Sequence, residues 1–248
     1  MILKRSIYYF IALSALLYAQ SAFALTGREI MDKSEALPES DTAQSKVLMF
    51  IHNADSQLEK EFEILSKKNP NDENKTLISF IRPTKIKLLT HAHKNQDDDQ
   101  WLRLSSGKAK RIAQADKGKP FVNSHYFYED LSDRDIDDFD YQYIGDEKAV
   151  GVDCYKVEAV KKKNQVYSKT ILYVRKSDYY IVRIDFYKKE KFLKFLENKE
   201  VRTVDGILTP FHVVMSLSDS QGNTELKVQS VEYNKDVKDS VLSKEALR

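Results

Sequence analysis

The sequence predicts a mainly β (α+β) protein: one curved antiparallel sheet of about eleven strands, partly covered by a few short helices. Three observations support this. Apolar residues alternate with polar ones over many separate runs, short turn sequences divide those runs, and helix-starting patterns are few. One-sided alternation of this kind suits antiparallel strands with one wet face.

The first element expected is a short helix, because Thr26 and Glu29 have the spacing of a capping box ahead of Ile30 and Met31. Strand patterns follow over 46–51, 58–64, 76–81, 86–91 and 100–104, and again over 154–159, 167–174, 182–186, 208–217 and 224–233. Within the second run, Leu58, Phe62 and Ile64 share one face while Glu59, Glu61 and Glu63 share the other. Val182, Ile184 and Phe186 alternate in the same way with Arg183 and Asp185. Segment 189–199 is ambiguous by periodicity, since Phe192 and Leu196 form a helical i, i+4 pair. The hairpin turn Asp205-Gly206 needs a strand before it, so a strand is predicted there. Gln221-Gly222-Asn223 marks another turn, and short helices are expected over 126–131 and 240–247. Polar stretches at 67–75 and 94–98 are too short for domain linkers, so a single domain over 25–248 is expected.

Residues 1–24 have the form of a secretory signal. Lys4 and Arg5 precede an apolar run over 7–19, and Ala22-Phe23-Ala24 offers a small-x-small cleavage site. The run is shorter than the roughly 20 apolar residues a membrane span needs. With no cysteine just after the expected cut, the predicted product is an exported, soluble, non-lipidated chain beginning near Leu25. The whole chain has 40 Lys+Arg against 38 Asp+Glu, and loss of Lys4 and Arg5 leaves 38 of each. Such a balance argues against a nucleic-acid partner, which calls for a clear basic excess. Cys154 is the sole cysteine, so the fold must rest on its core, and its strand-like surroundings point to a buried, inert thiol.

Several constellations carry residue types that chemistry could use. His91 and His93 have a spacing that puts two imidazoles on one strand face, with Asp97, Asp98 or Asp99 as a third ligand, but nearby histidines commonly serve no metal. Asn95, Asp97 and Asp99 imitate the start of an EF-hand loop. Gln100 and Ser106 stand where that loop needs glycine and a bidentate glutamate. Glu129, Asp130, Asp133, Asp135, Asp137 and Asp138 surround Arg134, where capping and ion pairing explain them better than acid–base catalysis. No Gly-x-Ser-x-Gly elbow and no glycine-rich phosphate loop occurs. The reading expects no enzyme, no metal and no cofactor. What remains is aromatic surface: most of the 12 phenylalanines and 14 tyrosines, and Trp101, follow the expected cut. The concave side of such a sheet either packs as core or forms an apolar pocket.

One set of short motifs runs in order along the chain. It comprises Gly27-Arg28-Glu29-Ile30-Met31, Ile81-Arg82-Pro83, Asp98-Asp99-Gln100-Trp101-Leu102, Arg111-Ile112-Ala113, Tyr128-Glu129-Asp130-Leu131 and Arg134-Asp135. Cys154-Tyr155 after Gly151, Tyr167-Ser168-Lys169 and Asp205-Gly206-Ile207-Leu208-Thr209-Pro210 complete it. Together they resemble the outer membrane lipoprotein-sorting proteins, relatives of the LolA-type periplasmic carriers. The resemblance covers nearly all of 25–248; the polar 67–75 loop and the lysine-rich 161–163 turn depart from it.

The resemblance implies an unclosed antiparallel β-barrel whose concave face is capped by helices and encloses an apolar cavity for lipoprotein or lipid acyl chains. It implies the periplasm of a Gram-negative bacterium, with an inner-membrane transporter of the RND/MMPL type or an outer-membrane acceptor as partner. The strand faces suggest Phe62, Ile64, Phe80, Leu88, Trp101, Val182, Ile184 and Phe186 as the cavity lining. Two other readings are a protein-interaction module of an envelope complex and, far behind, a cryptic hydrolase.

Overall fold

Thirteen strands form one antiparallel sheet in the computed structural model, which describes residues 25–71, 73–94, 96–219 and 221–247. The expected signal at 1–24 lies outside the described residues. The first meander comprises β1 (Thr42–Asn53), β2 (Ser56–Lys68), β3 (Asn74–Arg82), β4 (Lys87–His91), β5 (Asp99–Arg103) and the two-residue β6 (Lys110–Arg111). The second opens with β7 (Phe139–Ala149), β8 (Val152–Lys161), β9 (Lys169–Arg175) and β10 (Ile181–Lys188). It ends with β11 (Lys191–Val204), β12 (Ile207–Leu217) and β13 (Gly222–Tyr233).

In space the order is β6-β5-β4-β3-β2-β1-β13-β12-β11-β10-β9-β8-β7. Pairing of β1 with β13 joins the two meanders, while β6 and β7 are opposite edges that do not pair with each other. The sheet therefore stays open. Sequence neighbours at opposite edges force the connection between them to cross the concave side. Residues 112–138 make that crossing, with short 3₁₀ turns at Gln114–Asp116, Tyr128–Leu131 and Ile136–Asp138.

All eleven predicted strands are present, including the ambiguous one, which is β11 paired through Val204 and Ile207 across Asp205-Gly206. Two strands were not anticipated, β6 and β7, which form the two edges of the sheet. The predicted helices at 126–131 and 240–247 are 3₁₀ turns over Tyr128–Leu131, Asp239–Leu242 and Lys244–Leu247.

The first helix, α1 (Gly27–Glu35), starts as its capping box requires: Thr26 Oγ1 accepts from Glu29 N–H at 3.2 Å, and Glu29 Oε2 accepts from Thr26 N–H at 2.8 Å. Ile30 and Met31 on its buried side pack against Val157, Ala159, Leu172 and Val174 of the second meander. Gly27 lies so close to β7 that a Cβ there would meet Tyr143 N at 2.7 Å. Over the first meander the roof is the crossing segment: Phe121 and Tyr128 cover Val47, Met49, Phe62, Phe80 and Leu88. The convex side is also covered in part. Val237, Leu242 and Leu247 of the C-terminal tail lie over Leu77, Leu89 and Trp101.

Candidate ligand site on the concave face

Two cavities lie under and beside the roof. A cleft of about 670 Å³ is lined by Glu35 at the end of α1 and Leu37 beyond it, by the loops at His93 and Asp133–Asp138, and by Ile181 and Leu208 on the sheet. The second cavity, about 210 Å³, has an apolar wall of Phe139, Ala159, Val166, Ile184, Phe186 and Leu196, and Glu129, Asp130, Arg134, Lys161 and Lys169 also line it. They meet at Asp133 and Arg134, which line both. The larger falls in the usual range for ligand sites, and the smaller is an apolar annex beside it.

A buried ion pair holds the roof to the floor of the annex. Lys194 on β11 is 0% exposed, and its Nζ lies 2.5 Å from Asp130 Oδ2 in the roof and donates to His125 O at 2.9 Å. The same ammonium stands 3.6 Å from the centre of the Phe127 ring. Tyr167 Oη donates to Asp130 Oδ1 at 2.5 Å, and Phe127 N–H donates to Oδ2 at 2.7 Å. Every strong group here is satisfied, as a buried charge requires. Burial pulls the Lys194 pKa down while Asp130 opposes it, and burial with Asp130 pushes the Tyr167 phenol far up.

Arg134 differs. Its guanidinium stacks 4.1 Å from the Phe139 ring centre and reaches Thr170 Oγ1 only at 3.4 Å. Its Nε is shut off from solvent with no hydrogen-bond partner, and so are Ser132 Oγ and Tyr141 Oη. Desolvation pushes the Arg134 pKa below its ordinary value, with the nearby Tyr141 acting in the opposite direction. The surrounding carboxylates are engaged elsewhere. Glu129 pairs with Lys161 at 2.9 Å, Asp130 with Lys194, and Asp133 Oδ2 accepts from Asn74 at 3.0 Å. Asp137 pairs with Arg28 at 2.8 Å, and Asp135 accepts from Asp137 N–H at 2.9 Å. Most of the acidic residues around Arg134 thus cap turns and brace the roof.

The eight residues expected to line a cavity divide into three groups. Ile184 and Phe186 line the annex. Phe62, Ile64, Phe80 and Leu88 face the same concave side but lie in the cluster sealed by Phe121 and Tyr128. Trp101 and Val182 are on the convex side. Trp101 packs under the C-terminal tail, and Val182 packs with Cys154, Ile171 and Tyr173. Val182 is turned over by a bulge: β9 and β10 pair Ile181 with Val174 but Arg183 with Tyr173, so residue 182 is extra. A one-residue slip of this kind moves a side chain to the opposite face.

The reading from sequence did not select Arg134 or Lys194 as site residues. The signal for Lys194 was a charge inside the apolar run Phe192-Leu193-Lys194-Phe195-Leu196, at a position that the β10–β11 pairing sets opposite Phe186.

The other candidates are dispersed. His91 Nε2 is 2.8 Å from Leu242 O, whereas His93 Nε2 is 3.3 Å from Asp99 Oδ2, so the imidazoles serve separate partners. In the EF-hand-like stretch, Asn95 lies outside the described residues, Asp97 accepts from Asn164, and Asp99 binds Arg111 and His93. No group of three or more His, Cys, Asp or Glu among the described residues is arranged to hold a metal. Cys154 is buried and burial pushes its thiol pKa up, away from the thiolate a nucleophile needs.

Solved structures share this architecture over most of the chain. A DUF1329 family protein from Desulfovibrio piger superposes with a TM-score of 0.83 at 27% identity, covering 90% of this chain and 98% of that one. A putative outer membrane lipoprotein-sorting protein domain from Vibrio parahaemolyticus gives 0.83 at 26%, covering 89% and 97%. A LolA superfamily protein from Nitrosomonas europaea gives 0.71 at 18%, covering 90% and 100%, a likeness of fold. No curated protein matches the sequence. A family model described as "Uncharacterized protein" matches residues 72–248, and the chain belongs to that family.

Proposed function

We propose that the chain is a non-catalytic periplasmic carrier that shelters the acyl chains of a lipoprotein or lipid on its concave face. The carrying observation is the pair of cavities that meet at Arg134, one a cleft and the other a smaller space with an apolar wall of Phe139, Ala159, Val166, Ile184, Phe186 and Leu196 facing charged residues of the roof. The likeness to the Vibrio parahaemolyticus domain, named for lipoprotein sorting, supports the same reading. Physically the role makes sense, because each methylene removed from water contributes ~0.8 kcal/mol and an acyl chain cannot cross an aqueous space unsheltered. Loading would come from an inner-membrane transporter of the RND/MMPL type and delivery would be to an outer-membrane acceptor.

Mass spectrometry of organic extracts from protein purified out of its native envelope tests the proposal. A stoichiometric acyl lipid is expected. Repeated extracts without lipid, together with no uptake of the neutral fluorophore N-phenyl-1-naphthylamine, would sink it.

A further inference from the structure

We infer that the cargo site has a headgroup end, and that Arg134 receives an oxyanion there while the tail enters the annex. The inference rests on the carrier reading and names its ligand class: a single-chain amphiphile ending in a carboxylate or phosphate.

Arg134 is a buried guanidinium whose polar neighbours are neutral: Thr170 Oγ1 stands at 3.4 Å and the Tyr141 phenol lies beside it, while its Nε has no hydrogen-bond partner among the described residues. Buried charges of native proteins are nearly always paired, so a guanidinium that meets only neutral groups points to an anion that arrives from outside. The carboxylates nearby do not fill that role. Asp130 is saturated by Lys194, Tyr167 and the Phe127 amide, and Asp133 turns to Asn74. Glu129 faces the annex with Oε2 free, but Lys161 at 2.9 Å balances its charge. Arg134 is thus a cation without a bridging anion. Its fork suits a carboxylate or phosphate, and Phe139 holds its plane.

Position matters as much as charge. Arg134 stands where the two cavities meet, so a group bound there lies at the mouth of an apolar space lined by Ile184, Phe186 and Leu196. At about 210 Å³ that space admits a short tail, and the neighbouring cleft of about 670 Å³ leaves room for a longer one. A hydroxyl headgroup can accept a hydrogen bond from Arg134 but leaves its charge unbalanced.

Titration of the full mature protein with dodecanoate, dodecyl phosphate and dodecanol, each displacing N-phenyl-1-naphthylamine, tests the inference. Both anions are expected to bind about 10- to 100-fold more tightly than the alcohol, the range for a charge-assisted hydrogen bond. Arg134→Met should abolish that preference, so that within the variant both anions bind no more tightly than dodecanol. Preference for one anion over the other identifies which oxyanion the site favours. Should Arg134→Met fail to fold, the wild-type Arg134 Nε–H resonance decides: it must shift farther with dodecanoate than with dodecanol, and equal shifts overturn the headgroup site. Equal binding of all three, or an unaltered preference in the variant, overturns the headgroup site while the carrier reading stands. Binding of none of them, with no fluorophore uptake, overturns the carrier reading itself.

Discussion

The two halves of the concave face use similar residues for opposite ends. Beneath the first meander, Phe62, Phe80 and Leu88 meet Phe121 and Tyr128 from the roof, and the space is filled. Beneath the second, Phe186 and Ile184 meet a roof that carries Asp130 and Arg134, and the space stays open. The floor is apolar in both. What differs is the roof: over the first half its rings fill the space, whereas over the second Tyr126 and Phe127 share the roof with Asp130 and Arg134, ionic groups that must keep their partners. Whether an inward apolar residue is core or lining is therefore decided by what covers it.

Matched truncations provide the strongest challenge to that contrast. Phe80→Ala and Phe186→Ala should each lower stability by about 3–5 kcal/mol in denaturant titrations, since both rings are buried. Only Phe186→Ala should alter fluorophore or fatty-acid affinity. Equal effects of the two on binding would dissolve the distinction between the halves. Next comes the pair that holds the open half. Lys194→Met leaves Asp130 buried without its cation and should cost about 3–5 kcal/mol. The double variant Lys194→Met, Asp130→Asn should recover most of that loss, and a single variant as stable as wild type would show that the pair does not pin the roof.

A smaller effect concerns the rim of the large cleft. Burial pushes the Asp98 pKa up to about 6, although its carboxylate accepts from Asp133 N–H at 2.7 Å. A folded pKa above the unfolded value means that the folded state binds the proton more tightly. The resulting stability is present below about pH 4 and lost as pH rises through about 6. Asp98→Asn should therefore raise stability at pH 7 by about 2 kcal/mol and flatten the melting profile between about pH 4 and pH 6. A profile that keeps its slope in the variant would assign the titration to another group. The smallest expected change is none. Trp101 lies on the convex side, so its emission should stay constant as dodecanoate binds. Loss of residues 236–247 should shift that emission to the red, and ligand-dependent quenching would place cargo on the wrong face.

Alternation made most of the sheet legible, because a strand with one wet face shows it directly in Leu58, Phe62 and Ile64 against three glutamates. It was least informative where both faces are covered. Leu77-Ile78, Leu88-Leu89 and Trp101-Leu102 each place one side chain under the roof and the next under the C-terminal tail. Adjacent apolar residues thus signal cover on two sides and do not say which is concave, and this is how Trp101 came to be grouped with Phe80. Strand β7 carries its own alternation in Phe139, Tyr141 and Tyr143. It sits directly after an acidic stretch that invites a loop reading. The bulge at Val182 has no local signature, since only the pairing of β9 with β10 reveals the extra residue. Arg134 was visible as a charge among carboxylates, and the natural inference was an ion pair. Folding directs those carboxylates to Lys161, Lys194, Asn74 and Arg28 instead.

The chain runs from one rim of the open sheet to the other through residues 112–138, so the roof is also a tether between the rims. Mechanically, the sheet resembles a bow whose string passes across the opening. Any ligand that splays the rims must tighten this segment or pull it off the floor, and any force that lifts the segment draws on both rims together. Entry of a bulky cargo and displacement of the roof are then one motion, with the Lys194–Asp130 pair as the contact that resists it.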